Sequence, residues 1–436
     1  MTLLRSLFVA IAILFTCSST FTQGLEFERE RHMNMLRLIK DDVKKNYFDA
    51  TLKGIDIDAK YKVAVEKMET AQSIGQFTGI IAQFLVDFDD SHLFFLPPGK
   101  ANKTDYGFDF RMVGDKCLVL HVDKDSGAEK AGLRVGDELL SIAGYQPTRD
   151  TTWKIRYLLF RLRPQAGLNL VVLNSKGIET AIAAAAHIKR GKRVMDLTGQ
   201  DLNTFIRESE DQYHRRVKQY FFDKLDGVFI WKMPSFSLEP TKVDDIVGRA
   251  KKSSALILDL RGNGGGRVDM VLRLIGNVLD KDVKVADEKR RKETKEAIAK
   301  SRGSNAYNGK IVVLIDSGSA SASEVFARVM QLEKRGVVFG DRSAGAVMES
   351  RVFGRQLGLD TVVFFGASIT IADLIMKDGK SLEKVGVSPD VVVLPTGEDL
   401  AKRRDVVMSR ALESLGVKMS PEEAGSIFPL EDDDDN

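Results

Sequence analysis

Residues 311–315 read Ile-Val-Val-Leu-Ile, and residues 316–324, which follow directly, read Asp-Ser-Gly-Ser-Ala-Ser-Ala-Ser-Glu. A short continuous apolar run is typical of a strand that is buried on both faces of a sheet. Downstream, Val325, Phe326 and Val329 recur at near-helical spacing, so a helix begins at or just after the serines. The sequence therefore predicts a strand, a serine-rich turn and a helix in direct succession.

A serine in this turn has the surroundings that a nucleophile needs. It projects from the carboxyl end of a buried strand, beside backbone N–H groups that the first turn of the helix leaves unpaired. Such N–H groups can stabilise the negative charge that develops during acyl transfer. We therefore interpret the turn as a nucleophile site.

A second loop follows another apolar run in the same way. Residues 255–258 are Ala-Leu-Ile-Leu, and residues 259–266 read Asp-Leu-Arg-Gly-Asn-Gly-Gly-Gly. Consecutive glycines let backbone N–H groups approach a ligand closely, because no Cβ stands in the way. A dinucleotide-binding loop would need a third glycine where Arg267 stands, so an oxyanion hole is the better interpretation.

The pattern of apolar residues and glycines changes along the chain. Residues 25–95 show helical periodicity, and the next segment contains short strands separated by glycine turns. From residue 187 onward, apolar strand candidates alternate with helical segments, which predicts a largely parallel sheet. The charged run 287–296 is interpreted as a solvated helix, with a mobile cover over the site as the alternative.

These changes predict a multidomain α/β protein. The predicted units are a signal peptide at 1–24, a helical domain at 25–100, a β-rich domain at 105–186, an α/β core at 187–400, and a C-terminal helix with an acidic tail at 401–436.

Composition excludes several classes of function. The 65 basic and 62 acidic residues give a net charge of +3, so a broad nucleic-acid-binding surface is not expected. The five histidines are scattered and lack paired carboxylates, so neither a metal site nor another cofactor is predicted. Cys117 lies in an apolar run, where a buried thiol without chemistry is expected.

The segment Met1–Gly24 is interpreted as a signal peptide, because Arg5 precedes the apolar run 7–15. That run is too short for a comfortable membrane span, although an uncleaved anchor is the alternative. Residues 14–17 weakly resemble a lipoprotein-processing box ending at Cys17. We therefore expect export to the periplasm or exterior of a bacterium, with membrane contact only through the signal peptide or a lipid anchor.

The β-rich segment resembles a PDZ domain of the bacterial type. The resemblance is carried by a Gly-Phe-Asp-Phe loop at 107–110, an Ala-Gly-Leu-Arg-Val-Gly-Asp turn at 131–137, a helix at 151–163 and a strand at 168–173. Such domains add an extended peptide as a strand and hold its carboxylate in a nest of N–H groups. The resemblance implies a nest at Gly107 and Phe108. It also implies a side-chain pocket lined by Phe110, Leu158 and Leu162, for which core packing is the alternative.

Together, the glycine loop, the serine turn and the two upstream domains resemble peptidase family S41, the C-terminal processing or tail-specific serine peptidases. Residues 47–49, Tyr-Phe-Asp, and residues 383–390 are also similar. The resemblance implies a ClpP/crotonase-like α/β core with Ser321 as nucleophile. It further implies that the N–H groups of Ala322 and Gly265 form the oxyanion hole.

The chain departs from this family at the general base. Processing peptidases carry a catalytic lysine in a Gly-Glu-x-x-x-Gly-Lys-Gly segment, whereas residues 340–347 read Gly-Asp-Arg-Ser-Ala-Gly-Ala-Val. Ala346 stands in the place of the lysine. An alanine side chain cannot accept the proton of a serine, so the base must lie elsewhere.

The tricorn-like branch of the same clan uses a Ser-His pair in its helical part and a distant glutamate. By this resemblance His92 is the general base, and Ser91 and Glu383 orient it. A neutral imidazole, with a reference pKa of about 6.5, suits this role. Packing of His92 beneath the Pro97-Pro98 turn is the alternative. Glu324 is expected to brace the helix N-terminus rather than to act in catalysis.

An exported serine endopeptidase that engages a polypeptide substrate by its C-terminus is therefore the leading hypothesis. The first alternative is a catalytically silent protein of the same fold that binds an apolar ligand or a peptide. The alanine at position 346, in the place of the catalytic lysine, favours this alternative. The second is a regulatory PDZ scaffold. Retention of Ser321, the glycine loop and Ser91-His92 favours the peptidase.

Overall fold

A computed structural model describes residues 2–99, 102–190, 218–225, 227–358 and 363–428. The acidic tail predicted at the C-terminus, residues 431–436, lies outside the described residues. The helices are α1 Thr2–Asn46, α2 Ile57–Thr70, α3 Ile74–Val86, α4 Gly127–Lys130, α5 Thr152–Arg156, α6 Pro240–Ala250, α7 Val268–Val278, α8 Ala322–Leu332, α9 Gly397–Ala401, α10 Val406–Ser414 and α11 Pro421–Gly425.

Helices α1, α2 and α3 form the N-terminal part, as the sequence predicts. The Asp56 side chain caps α2 by accepting from two backbone N–H groups, and Ser73 caps α3. Buried apolar side chains of α1 and α3 pack against each other. Helix α1 runs through the expected cleavage point at Gly24. Within the described part of the chain, no helix has the length and apolar character needed to cross a bilayer.

The strands divide into four sheets. Their bounds are β1 Phe94–Leu96, β2 Asn102–Asp105, β3 Phe108–Val113, β4 Lys116–Val122, β5 Glu138–Ile142, β6 Gly167–Leu173, β7 Glu179–Ala185, β8 His187–Arg190, β9 Tyr220–Leu225, β10 Val228–Lys232, β11 Ala255–Asp259, β12 Val283–Arg290, β13 Thr294–Ala299, β14 Lys310–Ile315, β15 Val337–Gly340, β16 Met348–Leu357, β17 Val363–Met376 and β18 Val391–Val392.

The β-rich unit is an antiparallel sheet with the order β3-β4-β5-β6-β7, so β3 lies at its edge. Helix α5 and the π-helical turn Tyr157–Leu162 pack beside it. Strands β2 and β8 pair with each other and bring the two ends of this unit together.

The core is built on a sheet with the order β18-β15-β14-β11-β10-β9, parallel except for β9. Strand β11 is buried throughout and β14 nearly so, because helices cover both faces of the sheet. Since β11 and β14 are parallel neighbours, the glycine loop and the serine turn emerge at the same edge of the sheet.

A second, antiparallel sheet joins the core to the N-terminal helices. Strand β17 pairs with β16, β12 and β1, and its residues Phe365, Ala367 and Ile369 pack into the helical cluster. Strand β1 directly follows His92 in the chain. Its pairing with β17 therefore carries His92 from the helical part to the core.

The charged run 287–296 is not a helix, so that prediction is wrong. It spans the hairpin of β12 and β13, and β12 also pairs with β17. Val283, Val285 and Ala286 of β12 are buried, while Arg290 forms ion pairs with Glu288 and Glu349. Cross-strand pairing therefore determines the structure of this run, and half-buried charges such as Glu288 and Arg290 are compensated by ion pairs.

Candidate active site

Ser321 occupies the N-cap of α8 in a strained backbone conformation, with φ 54° and ψ −115°. The side chain is half-buried. The glycine loop approaches so closely that a Cβ on Gly265 would lie 2.7 Å from the Ser321 Cβ. Gly265 also has a φ of +95°, so this position requires a glycine on two counts. The loop and the turn predicted as one site are therefore in contact.

The two N–H groups predicted for the oxyanion hole differ in their availability. The Gly265 N–H donates to Asn263 Oδ1 at 2.8 Å, and the Asn263 amide is itself held by Met233 O at 2.8 Å. The Gly265 N–H is thus already used in this structure. Within the described part of the chain, the Ala322 N–H makes no hydrogen bond, as expected for the first residue of a helix.

Glu324 is fully buried beneath the turn. Its Oε2 accepts from the N–H groups of Ser321 at 2.9 Å and Ala346 at 3.0 Å, and its Oε1 accepts from the Gly345 N–H at 2.8 Å and the Ser343 hydroxyl at 2.6 Å. Burial raises the pKa of Glu324 to about 7, although these hydrogen bonds act in the opposite direction. Glu324 braces the loop 343–346 as well as its own helix.

Ser91, His92 and Glu383 form one hydrogen-bonded group, as the sequence resemblance implies. The Ser91 hydroxyl lies 2.7 Å from His92 Nδ1 and 2.8 Å from Glu383 Oε2. The Ser91 N–H also donates to Glu383 Oε1 at 2.9 Å. Burial lowers the pKa of His92, against a smaller opposing effect of Asp90. His92 is therefore neutral near pH 7.

These contacts define which ring nitrogen of His92 carries the proton. An ionised carboxylate can only accept hydrogen bonds, so the Ser91 hydroxyl must donate its one proton to Glu383. The Ser91 oxygen must then accept from His92, and we assign the proton of the neutral imidazole to Nδ1. His92 Nε2 consequently keeps its lone pair and can act as a base.

One peptide unit connects this group with the serine turn. The Ala346 carbonyl accepts from the Ser321 N–H at 2.9 Å, and the Val347 N–H donates to Glu383 Oε2 at 2.9 Å. Both atoms belong to the peptide bond between Ala346 and Val347. The backbone at Ala346 and Val347 thus ties Glu383 to the serine turn.

A second buried carboxylate positions the histidine. Asp90 is 1% exposed, and its Oδ1 accepts from the His92 N–H at 2.9 Å and from the Thr370 hydroxyl at 2.6 Å. Its Oδ2 accepts from the Tyr47 hydroxyl at 2.8 Å. Asp90 therefore joins the end of α1, the histidine segment and β17.

We expect Tyr47→Phe to lower the free energy of unfolding by about 1–3 kcal/mol, because it leaves a buried carboxylate oxygen without its donor. Chemical denaturation followed by circular dichroism measures this. Tyr145→Phe is the matched control, since Tyr145 is 49% exposed and should tolerate the change. Equal stability of Tyr47→Phe and the unmodified chain would contradict the role of this hydrogen bond.

The predicted peptide groove is occupied by the chain's own groups. The Gly107 N–H donates to Asp105 Oδ1 at 3.0 Å, and the Phe110 carbonyl on the open edge of β3 accepts from Arg156. Phe108 and Phe110 are buried in the core of the β-rich unit. A peptide that adds to β3 at this point must displace both Asp105 and Arg156.

Leu158 and Leu162 were predicted to line a side-chain pocket, with core packing as the alternative. Both pack with the cluster of the N-terminal helices, whereas Ile155 and Leu159 face the cluster that contains Phe110. The π-helical turn at Tyr157–Leu162 accounts for this, because its wider hydrogen bonding shifts the side chains relative to an α-helix.

A cleft with a volume of about 750 Å³ lies between the β-rich unit and the core. Its wall includes Ser91, Ala346, Phe110 and Arg156. The cleft therefore connects the β-rich unit with the histidine group and the serine turn. Among the described residues, no cluster of side chains suited to a metal ion is found.

Sequence reasoning missed the contribution of Ser343 and Asp90, and for Glu324 it predicted only the bracing of its own helix. Each is a polar residue whose importance comes from burial and from partners far away in the chain. The only local signal was the capping spacing of Ser321 and Glu324, which indicates a helix start without revealing the loop at 343–346.

Comparison with known proteins agrees with this geometry. Residues 229–393 match the family model described as Peptidase family S41. A probable CtpA-like serine protease of Staphylococcus haemolyticus is 25% identical over 294 residues, which cover 66% of this chain and 52% of the relative. The tail-specific protease of Haemophilus influenzae is 26% identical over 326 residues, covering 69% and 43% respectively. The chain spans about half the length of these relatives.

The fold is similar to the crystal structure of mature CPAF, with a TM-score of 0.64 and 15% sequence identity over 86% of this chain and 94% of that one. At this identity the similarity concerns the fold alone. The family match covers the strands that carry both the glycine loop and the serine turn. Residues 229–393, which form most of the core, therefore match peptidase family S41.

Proposed function

We propose that this chain is an exported serine endopeptidase in which Ser321 is the nucleophile and His92 the general base. The observation that carries the proposal is the hydrogen-bonded group of Ser91, His92 and Glu383, tied to the Ser321 turn through the Ala346–Val347 peptide. A protein that only bound ligands would have no use for a neutral imidazole oriented in this way.

In the proposed reaction, Ser321 Oγ attacks the scissile carbonyl carbon while His92 Nε2 takes the hydroxyl proton. Ser91 and Glu383 stabilise the resulting imidazolium. The Ala322 N–H donates to the oxyanion, and a glycine-loop N–H joins it once released from Asn263. His92 then gives its proton to the leaving amine, and a water molecule hydrolyses the acyl-enzyme.

The β-rich unit, as a PDZ-like domain, would engage the C-terminus of the polypeptide substrate. Its edge strand β3 supports this, because an unpaired strand edge can accept an added strand. Gly107, Phe108 and Phe110 line that edge at its start. Arg156 donates to the Phe110 carbonyl, so a peptide that adds to β3 must compete with Arg156 for this acceptor.

We expect Arg156→Ala to bind a C-terminal peptide about 10-fold more tightly, because the Phe110 carbonyl loses a charge-assisted partner that the peptide must displace. Fluorescence anisotropy of a labelled peptide with a free carboxylate measures the affinity. Lys154→Ala on the same helix is the control, since Lys154 is exposed and contacts no backbone group of β3. An unchanged affinity in Arg156→Ala would argue against strand addition at β3.

The activity itself is tested by incubating the mature chain with an unstructured polypeptide and analysing the products by mass spectrometry. A fluorophosphonate probe should label the protein, and peptide mapping should locate the adduct on Ser321. Absence of both products and adduct, together with a co-purifying apolar ligand, would favour the catalytically silent binding protein. Export is tested separately, by sequencing the N-terminus of the mature chain for cleavage near Gly24.

A further inference from the structure

We infer that Glu324 is a positioning residue of this site, whose carboxylate holds Ser321 and the loop 343–346 in the arrangement needed for acyl transfer. The inference rests on the proposed function. Glu324 is not a member of the hydrogen-bonded group of Ser91, His92 and Glu383, and it does not line the 750 Å³ cleft.

The contacts of Glu324 run in two directions. Toward its own turn, Oε2 accepts from the Ser321 N–H at 2.9 Å. Toward the facing loop, the carboxylate accepts from the Ser343 hydroxyl and from the N–H groups of Gly345 and Ala346. One buried group thus sets the distance between the nucleophile and the loop that carries the Ala346–Val347 peptide.

The same group is coupled to the segment that carries Glu383. The Ser343 hydroxyl, which donates to Glu324, accepts from the Val387 N–H at 2.6 Å, and the Lys384 N–H donates to Gly345 O at 2.8 Å. A shift of Glu324 would therefore move both the serine and the anchor of Glu383. Small displacements of this kind cost catalytic rate steeply, because attack requires a defined distance and angle.

All four donors around Glu324 are neutral, so no cation compensates its charge. On neighbouring elements, Asp341 pairs with Arg149 and Lys384 with Asp89, while Arg342 is exposed and Glu383 is bound to Ser91. Within the described residues no Lys, Arg or His nitrogen pairs with Glu324. Both carboxylate oxygens of Glu324 accept hydrogen bonds. A proton on either oxygen would therefore point at an N–H or O–H group that is itself a donor.

The substitution Glu324→Gln keeps the shape and removes one acceptor oxygen. In either amide orientation the NH₂ group faces donors, so at least one backbone N–H loses its partner. We expect the labelling rate of Ser321 by a fluorophosphonate to fall roughly 10- to 100-fold. In peptide hydrolysis, we expect the loss to lie in kcat rather than in KM. Glu333→Gln at the other end of α8 is the control. It breaks an ion pair with Lys377 that shares no partner with Glu324, and it should leave the rate unchanged.

The pH profile separates positioning from general loss of structure. Because the pKa of Glu324 is raised to about 7, its carboxylate is present above that pH and is lost as the pH falls through it. We expect labelling of the unmodified chain to decline through about pH 7. In Glu324→Gln this step should be missing, and only a lower step should remain, from His92 with its lowered pKa.

Hydrogen exchange followed by mass spectrometry gives a readout that does not depend on activity. Peptides that contain Ser321 and residues 343–347 should exchange faster in Glu324→Gln and not in Glu333→Gln. If Glu324→Gln does not fold, Ser343→Ala should still slow labelling several-fold. Unchanged exchange and labelling would overturn the inference, whereas an unlabelled parent protein with faster exchange in the variant would overturn only the proposed peptidase activity.

Discussion

Ser321→Ala should abolish peptide hydrolysis, lowering kcat by roughly 10⁶-fold to the background rate, and should prevent fluorophosphonate labelling completely. The reason is that no other hydroxyl occupies the strained N-cap of α8. The Ser321 side chain is the only part of the turn that the substitution removes. Its backbone contacts with Ala346 and Glu324 involve the N–H group, which an alanine retains.

The neighbouring serines provide the controls for this experiment. The Ser319 hydroxyl donates to Leu260 O and the Ser323 hydroxyl donates to Asn263 O, both in buried positions. Ser323→Ala should therefore lower stability while leaving a labelled protein. Labelling that survives in Ser321→Ala but is lost in Ser323→Ala would identify Ser323 as the nucleophile and refute the assignment to Ser321.

His92→Ala should lower kcat/KM by about 10²–10⁴-fold, because Ser321 loses the acceptor of its proton. The loss is smaller than for Ser321→Ala, since the nucleophilic hydroxyl itself remains. The backbone N–H of residue 92 can still donate to Asp90, so the segment should keep its path. Addition of imidazole to the variant should restore part of the rate by supplying the missing base in the space that the ring leaves.

His121→Ala is the matched control for this change. His121 lies in the β-rich unit, where its Nε2 contacts Asp123 Oδ1 at 2.8 Å, and the proposed mechanism gives it no role. Hydrolysis at the full rate by His92→Ala would contradict the mechanism, even if Ser321 proved to be the nucleophile. A loss of activity without rescue by imidazole, in a variant that has kept its fold, would point to a structural role of His92.

Much of the architecture follows from local patterns. Buried parallel strands such as β11 and β14 read as continuous apolar runs, and the serine turn and glycine loop follow them directly. The charged run at β12 and β13 was misread, because its pairing with β17 lies outside any local window. The packing of Leu158 and Leu162 against the N-terminal helices does not follow from α-helical spacing, because both lie in a π-helical turn.

The site was predictable to a different degree for each residue. The strand, turn and helix pattern predicts a nucleophilic serine in the turn, and the family resemblance selects Ser321 among the serines there. His92 and Glu383 came from a family resemblance, because no local rule connects residues that lie so far apart in the chain. The role of Asp90 and the contacts of Glu324 with the loop 343–346 could not be predicted, since a carboxylate in a sequence looks alike whether it is solvated or fully buried.

The sequence by itself determined the type of fold, the serine turn and the absence of a lysine at Ala346. Hydrophobic periodicity and glycine placement are local properties that the chain carries in its order of residues. Only the tertiary structure decided that Ser91, His92 and Glu383 hydrogen-bond to one another and that one peptide unit joins them to Ser321. The physical reason is that the pairing of β1 with β17 and the burial of Glu324 depend on contacts between distant segments, which form only when the chain has folded.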